Sequence, residues 1–190
     1  TREEPLPASP YGEKKLAFSE YGLKNYGDME FIDLRIYSIY GKGDHERSLV
    51  KTLVRNTLRG TETELGLGNK IWNFMAEEDF GCALAFLVEL DFQKRGAFTI
   101  DICSRESRLL SDYIKEIEQI GFSFLKKKGI EHSEESLLRF GLRPPKVEGD
   151  YDFTAHTKEL PALGFEEKIS FSSGIEELYE FIYEEEFLKA

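Results

Sequence analysis

The chain has 190 residues, of which 41% are hydrophobic and 13% aromatic, so it can bury the core of one domain or somewhat more. Its formal net charge of -11 excludes a nucleic-acid surface built on clustered Lys and Arg, although a few local arginines can still hold a small anionic ligand. Because no apolar run is long enough to span a bilayer, we expect no membrane partner.

The cysteines and histidines give no pattern of a metal site or a disulfide framework. Cys82 and Cys103 are far apart and form neither a metal knuckle nor a disulfide-rich spacing. The three histidines, His45, His132 and His156, are scattered without metal-ligand spacing. We therefore predict no bound metal and a reducing compartment, which means a cytoplasmic protein.

The first elements are marked by their end signals. Ser9 is a good N-cap and Pro10 suits the first helical position, so the sequence predicts a helix that runs to about Tyr26 and stops at Gly27. The stretch "MEFIDLRIYSIYG" then predicts one buried strand, which ends in the turn formed by residues 41–43.

The middle of the chain alternates helices with short strands. Apolar residues recur at helical spacing from about Glu46 to Leu58, and Gly60 closes that helix. The stretch "LGLGNKIWNFM" predicts a turn and a short strand, and a helix follows from Glu77, with acidic residues that complement the helix dipole in its first turn.

The last third repeats this alternation. Residues 97–103, "AFTIDIC", predict a buried strand, and the helix after it is expected to end near Gly121. Residues 122–151 give only weak signals, whereas Ser173 and Glu176 form a capping box ahead of a final helix. Strands that alternate with helices favour an α/β fold.

Tyr11 and Lys15 are the first candidates for chemistry. Residues four apart lie on one helical face, so both side chains can point into one cleft. A tyrosine exchanges protons at neutral pH only when its pKa falls well below the usual ~10, and a nearby ammonium favours the phenolate. From the pair alone two readings stay open, namely an acid–base device and a polar, solvated turn of helix.

Five stretches in order resemble one family. The sequence resembles the C-terminal part of extended short-chain dehydrogenase/reductases, the NAD-dependent epimerase/dehydratase family that acts on nucleotide sugars. The stretches are "PASPYGEKKLAFSEYG", "LRIYSIYGKG", "LGLGNKIWNFMAEEDFGCAL", "FTIDICS" and "LGFEEKISFSSGIEELYEF". The resemblance implies the C-terminal portion of a Rossmann-like, doubly wound parallel sheet plus a small mixed α/β substrate-binding domain. The dinucleotide-binding half is expected to be absent, because GxGxxG occurs nowhere in the sequence.

The resemblance also implies a division of the chain. Residues 1–45 correspond to a remnant of the Rossmann-type domain, with the catalytic helix and the strand after it. Residues 46–190 correspond mainly to the substrate-binding domain, and residues 77–103 return to the Rossmann-type sheet.

The resemblance assigns roles to individual residues. Tyr11 is similar to the acid/base tyrosine, and Lys15 to the lysine that stabilises its phenolate and holds the nicotinamide ribose. Tyr37 is similar to the aromatic position whose backbone contacts the nicotinamide. Ser38 stands where many members carry a substrate-binding Asn.

Two further positions are implied for substrate binding. Trp72 stands where the family often has an arginine, so one phosphate contact differs, and its indole is expected either to pack in the core or to line the sugar pocket. Arg143, which precedes Pro144, is similar to a late arginine that pairs with the substrate diphosphate.

The resemblance therefore implies the C-terminal segment of an oxidoreductase that uses NAD or NADP and a Tyr/Lys pair. Its reaction is that of an epimerase, a dehydratase or a 4-keto-6-deoxysugar reductase. The alternative is a non-catalytic nucleotide-sugar-binding or remnant module that needs a separate cofactor-binding half. The expected partners are a nucleotide sugar, a second copy in a homodimer and that N-terminal half, without which we expect the 190-residue chain to be inactive.

Overall fold

The structure, a computed structural model, describes residue 7 and residues 9–91, 96–133, 135–144 and 156–188. The helices of these residues are α1 (Pro10–Asn25), α2 (Leu49–Leu58), α3 (Glu77–Glu89), α4 (Leu110–Lys127), α5 (Glu159–Ala162) and α6 (Phe171–Tyr183), and a π-helical turn, Glu184–Leu188, follows α6. The strands are β1 (Phe31–Ile36), β2 (Ser38–Tyr40), β3 (Thr63–Glu64), β4 (Ile71–Trp72), β5 (Phe74–Ala76), β6 (Ala97–Ile102), β7 (Arg108–Leu109) and β8 (Leu138–Arg139).

The strands pair across long stretches of sequence. β1 runs parallel to β6, with Phe31 opposite Ala97 and Ile36 opposite Ile102. β2 pairs in parallel with β5 and β3 with β8, whereas β4 and β7 are antiparallel. Parallel pairing requires crossover connections, so this arrangement confirms the predicted α/β class.

The predicted start of the first helix is confirmed. The Ser9 hydroxyl accepts a hydrogen bond from the Gly12 amide at 3.2 Å, and Pro10 is the first helical residue. Gly27 follows the helix with a φ of 61°, a left-handed conformation that glycine adopts without a Cβ penalty. The residues that begin and end this helix act through local geometry, so its ends could be predicted from the sequence.

The predicted strand over "MEFIDLRIYSIYG" is two strands. The Tyr37 amide donates to the Ile102 carbonyl at 3.0 Å and completes the ladder of β1 with β6. From Ser38 onward the backbone pairs instead with β5, with Ser38 opposite Phe74. The change of partner at Tyr37 divides the segment.

The prediction that a helix ends near Gly121 is wrong, since α4 continues to Lys127. A Cβ at Gly121 would overlap the Tyr179 hydroxyl of α6 and a methyl group of Thr57 in α2. The glycine therefore lets three helices approach closely. Residues 122–144 hold the rest of α4 and strand β8, and residues 145–151 of the weakly marked region lie outside the described residues.

Two predicted helix starts are also corrected. α2 begins at Leu49, not near Glu46, because the Ser48 hydroxyl accepts from the Lys51 amide at 3.4 Å. The capping box at Ser173 is wrong as well. Ser170 is the N-cap of α6, and its hydroxyl accepts from the Ser173 amide at 3.1 Å.

Two groups of buried residues hold the fold. The helical core joins α2, α4 and α6 and contains Val50, Leu53, Val54, Tyr113, Ile114, Ile117, Ile175, Leu178, Tyr179 and Ile182, together with Tyr40 and Phe74 from the strands. The sheet core lies between β6, β5 and α3 and contains Met75, Ala83, Leu87, Ile100, Ile102, Leu160 and Phe165. Within the described ranges, no helix is long and apolar enough to cross a bilayer.

Candidate functional site

Tyr11 and Lys15 lie together on α1, as their spacing predicted. The Lys15 ammonium is 5.5 Å from the centroid of the Tyr11 ring. The tyrosine is 72% exposed, so its phenol is open to a ligand or to solvent. The distance is that of a cation and an aromatic face in contact, which keeps the positive charge close to the phenol.

A groove beside this pair separates α1 from β1. Its volume is about 620 Å³, and Lys15, Leu16 and Arg35 are among the residues that line it. The helix is fixed to the strand by a hydrogen bond of 2.6 Å from the Ser19 hydroxyl to the Asp33 carboxylate. The groove therefore combines apolar walls with the ammonium of Lys15 and with Arg35, whose guanidinium lies 3.8 Å from the Asp33 carboxylate.

Tyr37 lies directly after β1, at the carboxyl end of the parallel β1–β6 pair. Its hydroxyl donates to the buried Asp101 carboxylate at 3.4 Å. The same carboxylate oxygen lies 2.9 Å from Nδ1 of His156. Ligands of open α/β sheets bind at the carboxyl ends of the strands, so Tyr37 stands where a cofactor contact is expected.

The pair of Asp101 and His156 was missed by the sequence reasoning. Its members are 55 residues apart, and neither belongs to a recognisable motif. The pair fixes the chain before α5 against the end of β6, where Glu159 also accepts from the Asp101 amide at 2.8 Å. Only the fold brings these groups together.

The end of β6 is also rich in negative charge. Burial raises the pKa of the Cys103 thiol to about 12, and Asp101, Glu159 and Glu167 raise it further in the same direction. The thiol is therefore neutral at physiological pH and a poor nucleophile.

Ser38 and Trp72, both predicted to bind substrate, contact each other. The indole Nε1 donates to the Ser38 hydroxyl oxygen at 2.8 Å. The residues approach because β2 pairs with β5, directly after β4. Asn73, between β4 and β5, is buried and bonds to residues 104–107, with distances of 2.8 Å to the Ser104 carbonyl and 2.7 Å to the Glu106 carbonyl. This asparagine was not predicted as an organising residue.

Arg143 is placed by another contact. Its amide donates to the Leu65 carbonyl at 3.0 Å, and its side chain is exposed. The segment that carries it is thereby held beside the "LGLG" stretch. The structure thus brings Tyr11 to Lys15 and Ser38 to Trp72, and it ties Arg143 to the strand region before Trp72.

The glycine turn of residues 41–43 surrounds a carboxylate. The Gly43 amide donates to Glu77, at 2.8 Å to one oxygen and 3.0 Å to the other. A Cβ at Gly41 would overlap the carboxyl group of Glu77, so a larger residue there would displace this side chain. Because a carboxylate occupies the turn, its backbone is not a cradle for a phosphate.

Comparisons with known proteins identify the family and the fold of the chain. The chain belongs to the NAD dependent epimerase/dehydratase family, whose model matches residues 1–101. No curated protein matches the sequence significantly.

Solved structures share the fold over nearly the whole chain. UDP-glucuronic acid 4-epimerase from Bacillus cereus, in complex with UDP-glucuronic acid and NAD, has a TM-score of 0.73 at 22% identity, over 95% of this chain and 55% of its own. The dTDP-glucose 4,6-dehydratase of Bacillus anthracis, in complex with NAD, gives 0.70 at 18% identity, over 100% and 58%. RMD from Pseudomonas aeruginosa, complexed with NADPH, gives 0.67 at 16% identity, over 93% and 57%. The chain therefore spans little more than half the length of these structures, and its fold is the corresponding part of a Rossmann-like epimerase.

Proposed function

We propose that the chain is the C-terminal segment of an NAD(P)-dependent oxidoreductase that acts on nucleotide sugars. Membership of the epimerase/dehydratase family supports the class of chemistry. The observation that carries the proposal is the Lys15 ammonium 5.5 Å from the Tyr11 ring, beside a groove at the sheet. The reaction is that of an epimerase, a dehydratase or a 4-keto-6-deoxysugar reductase.

In this mechanism Tyr11 exchanges a proton with a sugar hydroxyl or carbonyl. The ammonium of Lys15, 5.5 Å from the centroid of the Tyr11 ring, offers a positive charge to the negative charge that develops during this proton transfer. When bound, the nicotinamide of NAD or NADP supplies or accepts the hydride that balances this proton. Lys15 would also hold the ribose of the cofactor, and the backbone of Tyr37 would contact its nicotinamide.

The residues fit one end of such a cofactor. The groove beside Lys15, with apolar and charged walls and about 620 Å³ of space, has room for the ribose that Lys15 is proposed to hold. The pyrophosphate end has no such match, because the glycine turn that could receive a phosphate holds Glu77. We therefore propose that a separate N-terminal half supplies the pyrophosphate loop and that the 190-residue chain alone is inactive.

The substrate contacts follow from the same assignment. Ser38 and Trp72 face the sugar, and the guanidinium of Arg143 pairs with the diphosphate, for which its planar fork is suited. A homodimer remains part of the proposal. The two domains extend over residues 1–45 and 46–190, with residues 77–103 in the Rossmann-type sheet.

The test joins the chain to a dinucleotide-binding N-terminal half taken from a member of the epimerase/dehydratase family. We expect turnover of a nucleotide sugar that depends on NAD(P)H or NAD(P)+. Tyr11→Phe should lower kcat by about 10²–10⁴-fold, since it removes the proton-transfer group. Tyr21→Phe is the matched control, because Tyr21 lies on the same helix, is similarly exposed and is expected to leave kcat unchanged.

Three outcomes are separable. Full activity of the Tyr11→Phe variant would remove the acid–base role. Binding of a nucleotide sugar without any turnover would support the alternative, a non-catalytic binding module. If calorimetry detects no binding of a nucleotide sugar, with or without the dinucleotide-binding half, the chain is a non-functional remnant and the proposed function is contradicted.

A further inference from the structure

The contact between Ser38 and Trp72 uses the polar groups of both residues. An indole has a single hydrogen-bond donor, and here Nε1 gives it to the Ser38 hydroxyl at 2.8 Å. Both side chains are half-buried. A ring held by packing and by this bond cannot rotate freely, so the pair presents an aromatic surface of fixed orientation.

The indole is backed by other aromatic rings. Its centroid is 6.3 Å from that of Phe74, with the planes inclined by 44°. Phe74 in turn meets the ring of Tyr113 edge-on at 5.2 Å and that of Phe171 at 5.8 Å. Tilted and edge-on rings in contact support each other's orientation. Trp72 is therefore the outer member of an aromatic group whose inner members are buried.

The charges around the pair do not favour a phosphate. Arg108 is the residue opposite Trp72 in the antiparallel β4–β7 pair. Its guanidinium is already paired with Glu116 at 2.6 Å and with Glu106 at 3.1 Å. A cation with two carboxylate partners offers little to a further anion.

Tyr40, two residues beyond Ser38, is also surrounded by negatively charged side chains. Burial raises the pKa of its phenol, and Glu167 and then Glu78 raise it further. Negative charge that disfavours a phenolate also disfavours a phosphate at this end of β2.

From these contacts we infer that Trp72 is a sugar-stacking, specificity-determining residue, and that Ser38 acts as a positioning residue that orients its indole. The inference rests on the proposed function. It assigns to Trp72 the neutral, C–H-rich face of the hexose ring and not the diphosphate. A charged group would be desolvated against the indole without a partner, whereas a C–H face gains contact with it.

The chain offers a direct readout, because Trp72 is its only tryptophan. The full chain is titrated with UDP-glucose and dTDP-glucose, and with UDP and dTDP as matched ligands without the hexose. Tryptophan emission and calorimetric heat are followed in parallel. We expect emission to change and saturate with a sugar nucleotide at its calorimetric affinity, and to stay constant when UDP or dTDP binds.

Two results overturn the inference and leave the proposed function standing. One is a sugar nucleotide that binds with heat but without a change in emission. The other is an equal change in emission with the nucleotide that lacks the hexose. Absence of heat with all four ligands contradicts both the inference and the binding on which it rests.

Variants separate stacking from folding. Trp72→Phe keeps an aromatic face and should retain calorimetric affinity within about threefold, whereas Trp72→Ala should weaken it about tenfold. Ser38→Ala should weaken it about threefold through the lost orientation of the indole. Ser123→Ala is the matched control, because that hydroxyl bonds only within α4, to the Gln119 carbonyl. Equal affinities of the two Trp72 variants would overturn the inference. If Trp72→Ala is too unstable to measure, the affinity of Ser38→Ala is compared with that of Ser123→Ala, and equal affinities of these two variants would overturn it as well.

Discussion

The helical core and the region around α1 and β1 differ in how much apolar surface they bury. In the helical core, Ile175, Leu178 and Tyr179 are at most 1% exposed, and each contributes apolar surface to its neighbours. In α1, by contrast, the one buried side chain is that of Ser19. Phe18 and Tyr21 of the same helix are 69% and 68% exposed. Apolar packing thus holds α2, α4 and α6, whereas the helix that carries Tyr11 and Lys15 meets β1 through half-buried residues and the hydrogen bond from Ser19 to Asp33.

This difference fits the proposed division of the chain. A region whose apolar side chains cover each other needs no further cover, whereas exposed aromatic residues on a helix mark a surface suited to contact. β1 is half-buried along most of its length, although parallel strands are usually covered on both faces. The part of the chain that carries Tyr11 and Lys15, the proposed acid–base pair, therefore leaves large apolar side chains such as Phe18 and Tyr21 exposed.

The largest expected effect compares one leucine in each region. Leu178→Ala leaves a cavity in a closely packed core and should lower the free energy of unfolding by ~3 kcal/mol. Leu16→Ala, at a half-buried position of α1, should lower it by only about 1 kcal/mol, because water reaches the site. Urea unfolding measured by circular dichroism gives both values. Equal losses would show that α1 is held by apolar packing after all.

A smaller effect tests the hydrogen bond that holds α1. Ser19→Ala removes the 2.6 Å bond to the Asp33 carboxylate and should cost about 1.5 kcal/mol, the scale of a bond to a charged group. The loss should exceed that of Leu16→Ala, although a serine buries less apolar surface. Ser123→Ala, on the exposed side of α4, should leave the unfolding free energy unchanged. A Ser19→Ala variant as stable as this control would contradict the assigned role of the bond.

The local signals of the fold could be predicted from the sequence, and the tertiary ones could not. Ser9 and Gly27 act through contacts within a few residues, so their positions fixed the ends of α1. In the sequence Gly121 looks like a glycine that ends a helix, but in the structure it leaves space for the Tyr179 side chain of α6. A glycine that serves packing between helices cannot be told from a terminal glycine without knowledge of the partner helix.

The candidate site shows the same division. Tyr11 and Lys15 were predictable as a pair because helical spacing brings them together. The bond between Ser38 and Trp72 was not, because it requires the parallel pairing of two strands that are distant in sequence. Tertiary strand pairing thus decides how these two residues can meet a ligand, and sequence reasoning supplied only their identities.

The smallest expected effect concerns local opening at the end of β6, which can be followed by the reactivity of the two cysteines. Cys82 is exposed on α3, whereas Cys103 is buried directly after β6. Burial, with Asp101 and Glu159 adding to it, raises the pKa of Cys103 from its ordinary 9.0 to about 12. In the folded chain at pH 8, a thiol reagent should therefore modify Cys82 and leave Cys103 at least about tenfold slower. In urea both thiols should react alike.

The pH dependence has a definite sign. Because the pKa of Cys103 is raised in the folded state, its contribution to stability is complete below pH 9.0 and is lost as the pH rises towards about 12.

Cys82→Ser should remove nearly all modification at pH 8, which assigns the fast reaction. Rapid modification of Cys103 in that variant, without loss of helical signal, would show that the sheet opens locally beside a helical core that stays folded. Slow modification would show that β6 is as firmly closed as the helical core, and that the open apolar surface is confined to α1 and β1.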